Sequence, residues 1–165
     1  MLIDAGGNSK GTAVQKYLMD QGVKRLEYVI ATHPDEDHIG GLDVILYKFD
    51  VNLVMLPDYE KDTKTYREMI QVIKDKRYHS IQPEVGETYS LGNAQFTIIA
   101  PNEAYSDAND YAVISCGEDN SYGHPHQEVL GELAAEGVEV FRTDIQGSIV
   151  AVSDGERIEW KFEFP

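Results

Sequence analysis

The most constraining feature of the chain is a strand that ends in a dense cluster of histidines and carboxylates. Leu26-Glu27-Tyr28-Val29-Ile30-Ala31-Thr32 is β-rich and nearly continuous in apolar character, which suits a strand covered on both faces. It runs directly into His33-Pro34-Asp35-Glu36-Asp37-His38, so His33, Asp35, Asp37 and His38 fall within six positions. Imidazole nitrogen combined with carboxylate oxygen suits zinc, manganese or iron better than calcium, which prefers oxygen cages. In an extended turn alternate side chains point the same way. His33 and Asp35 can then face one ion while Asp37 and His38 reach a second. Gly40-Gly41 lets a helix start close beneath the loop. The competing reading is a solvated acidic turn flanked by two histidines. It fits poorly with four ligand types at this density at the carboxyl end of a core strand.

The segments around this loop alternate between strand and helix. Leu2-Ile3-Asp4-Ala5-Gly6-Gly7 is a short strand entering a glycine turn, and 10–21 has helical spacing through Ala13, Val14, Tyr17 and Leu18. A second helix is expected over 39–49, with Leu42, Ile45 and Leu46 on one side. The strand Val51-Asn52-Leu53-Val54-Met55-Leu56 and its breaker Pro57 follow. Thr63 or Thr65 caps a helix through Lys76, and 87–100 reads as a hairpin about Gly92-Asn93. Further on, Val129, Leu130 and Leu133 mark a helix ending at Gly137. Strands are expected over 138–141 and 148–152, with Asp154-Gly155 turning the latter into Ile158-Glu159-Trp160-Lys161-Phe162. The pattern is mixed α/β, and 165 residues without repeat or linker suit one domain.

Composition limits the choice of partner. Fourteen Lys and Arg against twenty-nine Asp and Glu give a formal charge of -15, so the surface offers no general grip on polyanions. The single cysteine, Cys116, excludes an internal disulfide and reads as a small core residue of the strand Tyr111-Ala112-Val113-Ile114-Ser115-Cys116. No apolar run approaches membrane-spanning length, and Met1-Leu2-Ile3-Asp4 is too short for a signal peptide, leaving a removed leader open. His79, between Tyr78 and Ser80, has no acidic neighbour in sequence and reads as a surface histidine.

The pattern His-x-Asp-x-Asp-His-x-Gly-Gly at 33–41 resembles the signature of the metallo-β-lactamase superfamily, in the variant with Asp at the third position. That variant is typical of the ComEC/Rec2-like branch, the domain attached to bacterial DNA-uptake channels and also found in free-standing proteins. Ile3-Asp4-Ala5-Gly6 resembles the branch's early aspartate-glycine motif. Tyr122-Gly123-His124-Pro125-His126 resembles its late Gly-His-Pro-His motif, and Arg142-Thr143-Asp144 sits where the branch has the same triplet. The resemblance implies a four-layer αββα sandwich and a hydrolase with two divalent metal ions, zinc or manganese. It assigns His33 and Asp35 to the first ion and Asp37 and His38 to the second. Asp4 would orient the ligand loop by hydrogen bonding. His124 would lie at the active-site rim and contact substrate or position a leaving group, although helix capping or loop packing equally suits His124 and His126.

One departure from the branch matters. Its Gly-Asp motif, whose carboxylate bridges the metals, and its Gly-His-His-Gly-Ser motif do not occur; the chain passes from 101–109 almost directly into Tyr111-Ala112-Val113-Ile114. The join near Asn109-Asp110-Tyr111 reads as a deletion, or as residues missing from the sequence as written. The second reading is preferred because losing core strands would cost much of the fold's stability. Either way part of the sandwich's second half is lacking, and a dinuclear site cannot be completed from the residues present.

The resemblance makes phosphodiester cleavage, of DNA first, the leading chemistry, with Asp37 as ligand and proton carrier. The acidic charge favours a small phosphoester as the alternative. A non-catalytic binding module with a decayed site is the rival outside enzymology, and β-lactam hydrolysis follows only from the superfamily's name. Resemblance to an outward-facing domain tilts location towards the cell exterior, while the cytoplasm, the metal's identity and the oligomeric state stay open.

Overall fold

The computed structural model describes residues 1–57, 59–98, 111–117, 123–135, 137–153 and 157–163. They form two compact units, Met1–Pro83 and Glu84–Pro165.

The first unit is built on a four-stranded, wholly parallel sheet in the order β1 (Leu2–Ile3), β2 (Arg25–Ile30), β3 (Asp50–Met55), β4 (Ser80–Ile81). Helices link successive strands, as parallel pairing requires: α1 (Gly11–Asp20), then α2 (Glu36–Ile39) and α3 (Leu42–Lys48), then α4 (Lys64–Lys76). Leu42, Ile45 and Leu46 of α3 and Tyr66, Met69 and Ile73 of α4 are buried in one core with Leu26, Val29, Val51 and Val54 of the sheet. The apolar spacing of those helices therefore faces the strands, while Tyr28 and Ile30 stay half-buried. Thr63 is the cap of α4, its hydroxyl accepting from Tyr66 N at 3.2 Å.

The expected helix over 39–49 is two helices. The chain turns helical at Glu36, inside the ligand loop, breaks at Gly40-Gly41 and resumes at Leu42. The pair is there for contact rather than for unusual dihedrals. A Cβ on Gly40 would lie 2.3 Å from Asn8 N, and one on Gly41 2.6 Å from Ala5 O. Only glycine lets this turn lie against the Ala5–Asn8 backbone, where Gly41 N donates to Gly6 O at 3.0 Å.

In the second unit β5 (Thr88–Leu91) and β6 (Ala94–Thr97) form the expected hairpin about Gly92. β7 (Tyr111–Ile114) pairs in parallel with β8 (Glu139–Arg142), joined through α5 (Gln127–Ala135). A short α6 (Thr143–Gln146) precedes the antiparallel pair β9 (Ser148–Ser153) and β10 (Ile158–Glu163). Phe141 packs on Trp160 and Phe162 with ring centroids 4.3 and 5.4 Å apart. The expected turn at Asp154-Gly155, Tyr122 and the join at Asn109-Asp110 lie outside the described residues.

Candidate metal centre

Three strand ends of the first unit supply the candidate site, all at the carboxyl edge of the parallel sheet, where open α/β sheets hold their ligands. Asp4 directly follows β1, with a left-handed backbone at φ 53 and a buried side chain. Its N–H donates to Ile30 O at 2.9 Å, so it continues the sheet ladder before the chain turns away. Its carboxylate accepts from Thr32 N at 2.9 Å through Oδ1 and from the Thr32 hydroxyl at 2.6 Å through Oδ2, and Oδ2 lies 2.8 Å from His38 Nδ1. A single side chain thus binds the end of β2 to the turn of α2. The backbone repeats the tie, Ala5 N donating to His38 O at 2.9 Å.

The acceptor beside His38 Nδ1 places the ring proton there and leaves Nε2 with its lone pair in the neutral form. Burial lowers the His38 pKa most strongly, yet the Asp4 hydrogen bond and the charges of Asp4, Asp37 and Asp35 outweigh it, and the net direction is upward. His33 is shifted the other way. Burial leads the downward shift and His38 and Lys61 add to it, against Asp35 and Asp37, a direction that favours the neutral ring that ligation needs.

The four sequence-predicted ligands come together in pairs. His33 Nδ1 lies 3.3 Å from Asp35 Oδ2, and His38 Nε2 lies 3.8 Å from Asp37 Oδ2. The backbone is extended at Asp35 and helical from Glu36, so the extended turn expected for the whole segment is not formed. The His33 and His38 rings are 5.5 Å apart at their centroids. Among the described residues no three His, Cys, Asp or Glu side chains converge on one point.

Two observations bear on whether a metal fits. His33 Nδ1 is buried and has no hydrogen-bond partner, because Asp35 Oδ2 is close but not aligned to accept from it. A buried polar atom left in this state is costly unless something else binds it. Tetrahedral zinc with nitrogen and oxygen ligands at about 2.0–2.2 Å holds the two ligand atoms about 3.4 Å apart, close to the His33–Asp35 spacing. The donor types and the spacing of the first pair suit a divalent metal, and two donors are half of the four ligands that such an ion takes.

Residues that the sequence pattern did not single out also belong to the site. Thr32 sits between Asp4 and His38, 3.2 Å from His38 Nδ1. From the loop after β3, Tyr59 packs edge-on to His33 at 5.5 Å, and the Lys61 ammonium pairs with Asp35 Oδ1. The signal that could have found them is topological: the loop after β3 must emerge beside the loop after β2. His79 is exposed, as expected, and its carbonyl accepts from Val54 N at 3.0 Å.

The late motif belongs to the second unit. His124 and His126 are exposed, with rings edge-to-face at 4.8 Å, and the His126 carbonyl accepts from Leu130 N at the start of α5. Cys116 is buried, as expected, but in polar company. Its Sγ is 3.0 Å from Asp144 Oδ1, and Thr143 Oγ1 accepts from Cys116 N and donates to Cys116 O, each at 2.8 Å. Arg142 grips Asp144 through Nε and Nη2, and this bond leads the downward shift of the Asp144 carboxyl, while burial pushes the Cys116 thiol up. The Arg142-Thr143-Asp144 triplet therefore ties the end of β8 to the end of β7.

The chain belongs to the metallo-beta-lactamase superfamily, which it matches over residues 1–162. Its mixed α/β build agrees with that fold. It is also similar to ComE operon protein 3 of Bacillus subtilis (strain 168), with 25% identity over 196 residues that cover 81% of this chain and 25% of that protein. The chain thus spans about a quarter of that relative's length. Since 81% of 165 residues is about 134, some 60 of the 196 aligned positions have no counterpart here. No helix among the described residues is long and apolar enough to cross a membrane.

Proposed function

We propose that this chain is a metal-dependent hydrolase of the ComEC-like branch that cleaves phosphodiesters, with DNA the leading substrate. Two divalent ions, zinc or manganese, are assigned to His33 with Asp35 and to Asp37 with His38, each pair supplying only part of its ion's ligand set, with the remainder belonging to the segment lacking near Asn109-Tyr111. The observation that carries the reading is the unpartnered, buried His33 Nδ1 set 3.3 Å from Asp35 Oδ2, beside a His38 already fixed in its ligating tautomer by Asp4. When bound, divalent ions supply Lewis-acid stabilisation of the attacked phosphorus centre and make water nucleophilic at neutral pH. The chain's own part is orientation. Asp4 and Thr32 hold the His38 ring, α2 presents Asp37 to carry a proton, and His124 is assigned to substrate contact by family likeness.

The acidic charge of -15 favours a second substrate class, a small phosphoester that needs no basic track. The roughly 60 positions present only in the relative favour a third reading, a binding module whose site has lost its remaining ligands. Metal content of the purified protein, together with hydrolysis of bis(p-nitrophenyl) phosphate and of DNA by wild type and Asp37→Ala, separates the three. We expect bound zinc or manganese and a phosphodiesterase rate that falls at least about a hundredfold in the variant. Absence of metal together with equal rates for the two proteins would leave only the binding module.

A further inference from the structure

We propose that Lys61 is a built-in competitor of the divalent ion at Asp35, holding the carboxylate in the metal-free protein and giving way when an ion binds between His33 and Asp35. This rests on the metal reading above. One carboxylate is divided between two neighbours: Oδ1 carries the Lys61 ammonium, and Oδ2 faces the unpartnered His33 Nδ1. A metal ion taking His33 and Asp35 would stand within a few ångströms of that ammonium, where two cations in a partly dry site repel strongly.

The pair is built so that the lysine, not the aspartate, moves. The Asp35 side chain is 15% exposed, and its carbonyl accepts from His38 N and Ile39 N at 3.0 Å each, which fixes it as the cap residue of α2. The Lys61 side chain is 42% exposed on a flexible four-carbon stem. The Lys61 carbonyl accepts from Thr63 N at 2.9 Å, and Thr63 is held in turn as the cap of α4. An ion arriving at Asp35 is therefore expected to displace the more exposed ammonium and not the anchored carboxylate. Among the described residues, Lys16–Asp20 and Lys64–Glu68 each join successive turns of one helix, whereas Lys61 reaches across 26 positions to a half-buried loop.

The test is calorimetric titration of the metal-free full chain with Zn²⁺ alone, which requires no turnover. Lys61→Met should bind the first equivalent about three- to tenfold tighter than wild type, the range that loss of a partly exposed ion pair allows. Lys16→Met removes the same charge from α1 and should stay within about twofold of wild type. Lys61→Gln provides a second reading of the neutral side chain, and thermal melts verify that each variant is folded. Equal or weaker binding by both neutral Lys61 variants would overturn the competition while leaving the metal reading intact. Zinc binding by none of the four proteins would overturn both.

Discussion

At the residue scale the site depends on Asp4. Its left-handed backbone costs about 1–2 kcal/mol in a residue that is not glycine, and its carboxylate is buried. Both penalties are offset by what the side chain binds: Thr32 N, the Thr32 hydroxyl and His38 Nδ1. Asp4→Asn keeps the shape and tolerates the same φ, but its NH₂ group then confronts donors. The variant should lose about 1–3 kcal/mol of stability in urea and bind Zn²⁺ about 10- to 100-fold more weakly. Unchanged zinc affinity in a folded Asp4→Asn protein would remove the orienting role. Residue identity was legible in the sequence only where chemistry is local. His33, Asp35, Asp37 and His38 stand out as candidates by density, but Lys61 reaches Asp35 from 26 positions away, a pairing set by strand order and not by pattern.

At the scale of elements, glycine has opposite meanings in two turns of helix. A Cβ on Gly40 would meet Asn8 N at 2.3 Å and Glu36 O and Gly7 C at 2.5 Å, all of them backbone atoms that cannot yield singly. Gly131 in α5 faces open space. Gly40→Ala should therefore destabilise by about 3 kcal/mol or more, at the upper end of overpacking, and perturb metal binding because α2 carries Asp37 and His38. Gly131→Ala should stabilise by about 0.5–1 kcal/mol through helix propensity alone. Chemical denaturation of the two variants checks both signs, and a neutral Gly40→Ala would deny the close approach that positions the loop. Hydrophobic spacing reveals Leu42, Ile45 and Leu46 but is blind to a backbone packed on a backbone, so 39–49 reads as one helix although Gly40-Gly41 divides it. β4 was missed for another reason: at two residues it has no period to detect.

At the scale of the whole molecule, net charge sets the salt dependence expected for each candidate substrate. The chain carries -15, and a nucleic acid adds about one negative charge per 1.7 Å of duplex. The two repel each other until salt shortens the Debye length from about 30 Å at 0.01 M to about 10 Å at 0.1 M. For a chain with no net basic surface, KM for duplex DNA should therefore fall, or hold level, as monovalent salt rises from about 10 to 100 mM, the reverse of counterion-release binding. For a singly charged phosphodiester such as bis(p-nitrophenyl) phosphate, KM should change much less, because the interaction scales with substrate charge. Kinetics on both substrates across that salt range give the comparison. A KM for DNA that climbs steeply with salt would instead require a local basic track strong enough to overcome the global field. Family membership and the strand-helix alternation of the first unit were legible in the sequence because motif and periodicity agree there. Substrate choice was not, since net charge reports the mean field, while recognition depends on the few cations beside the site, of which Lys61 is one.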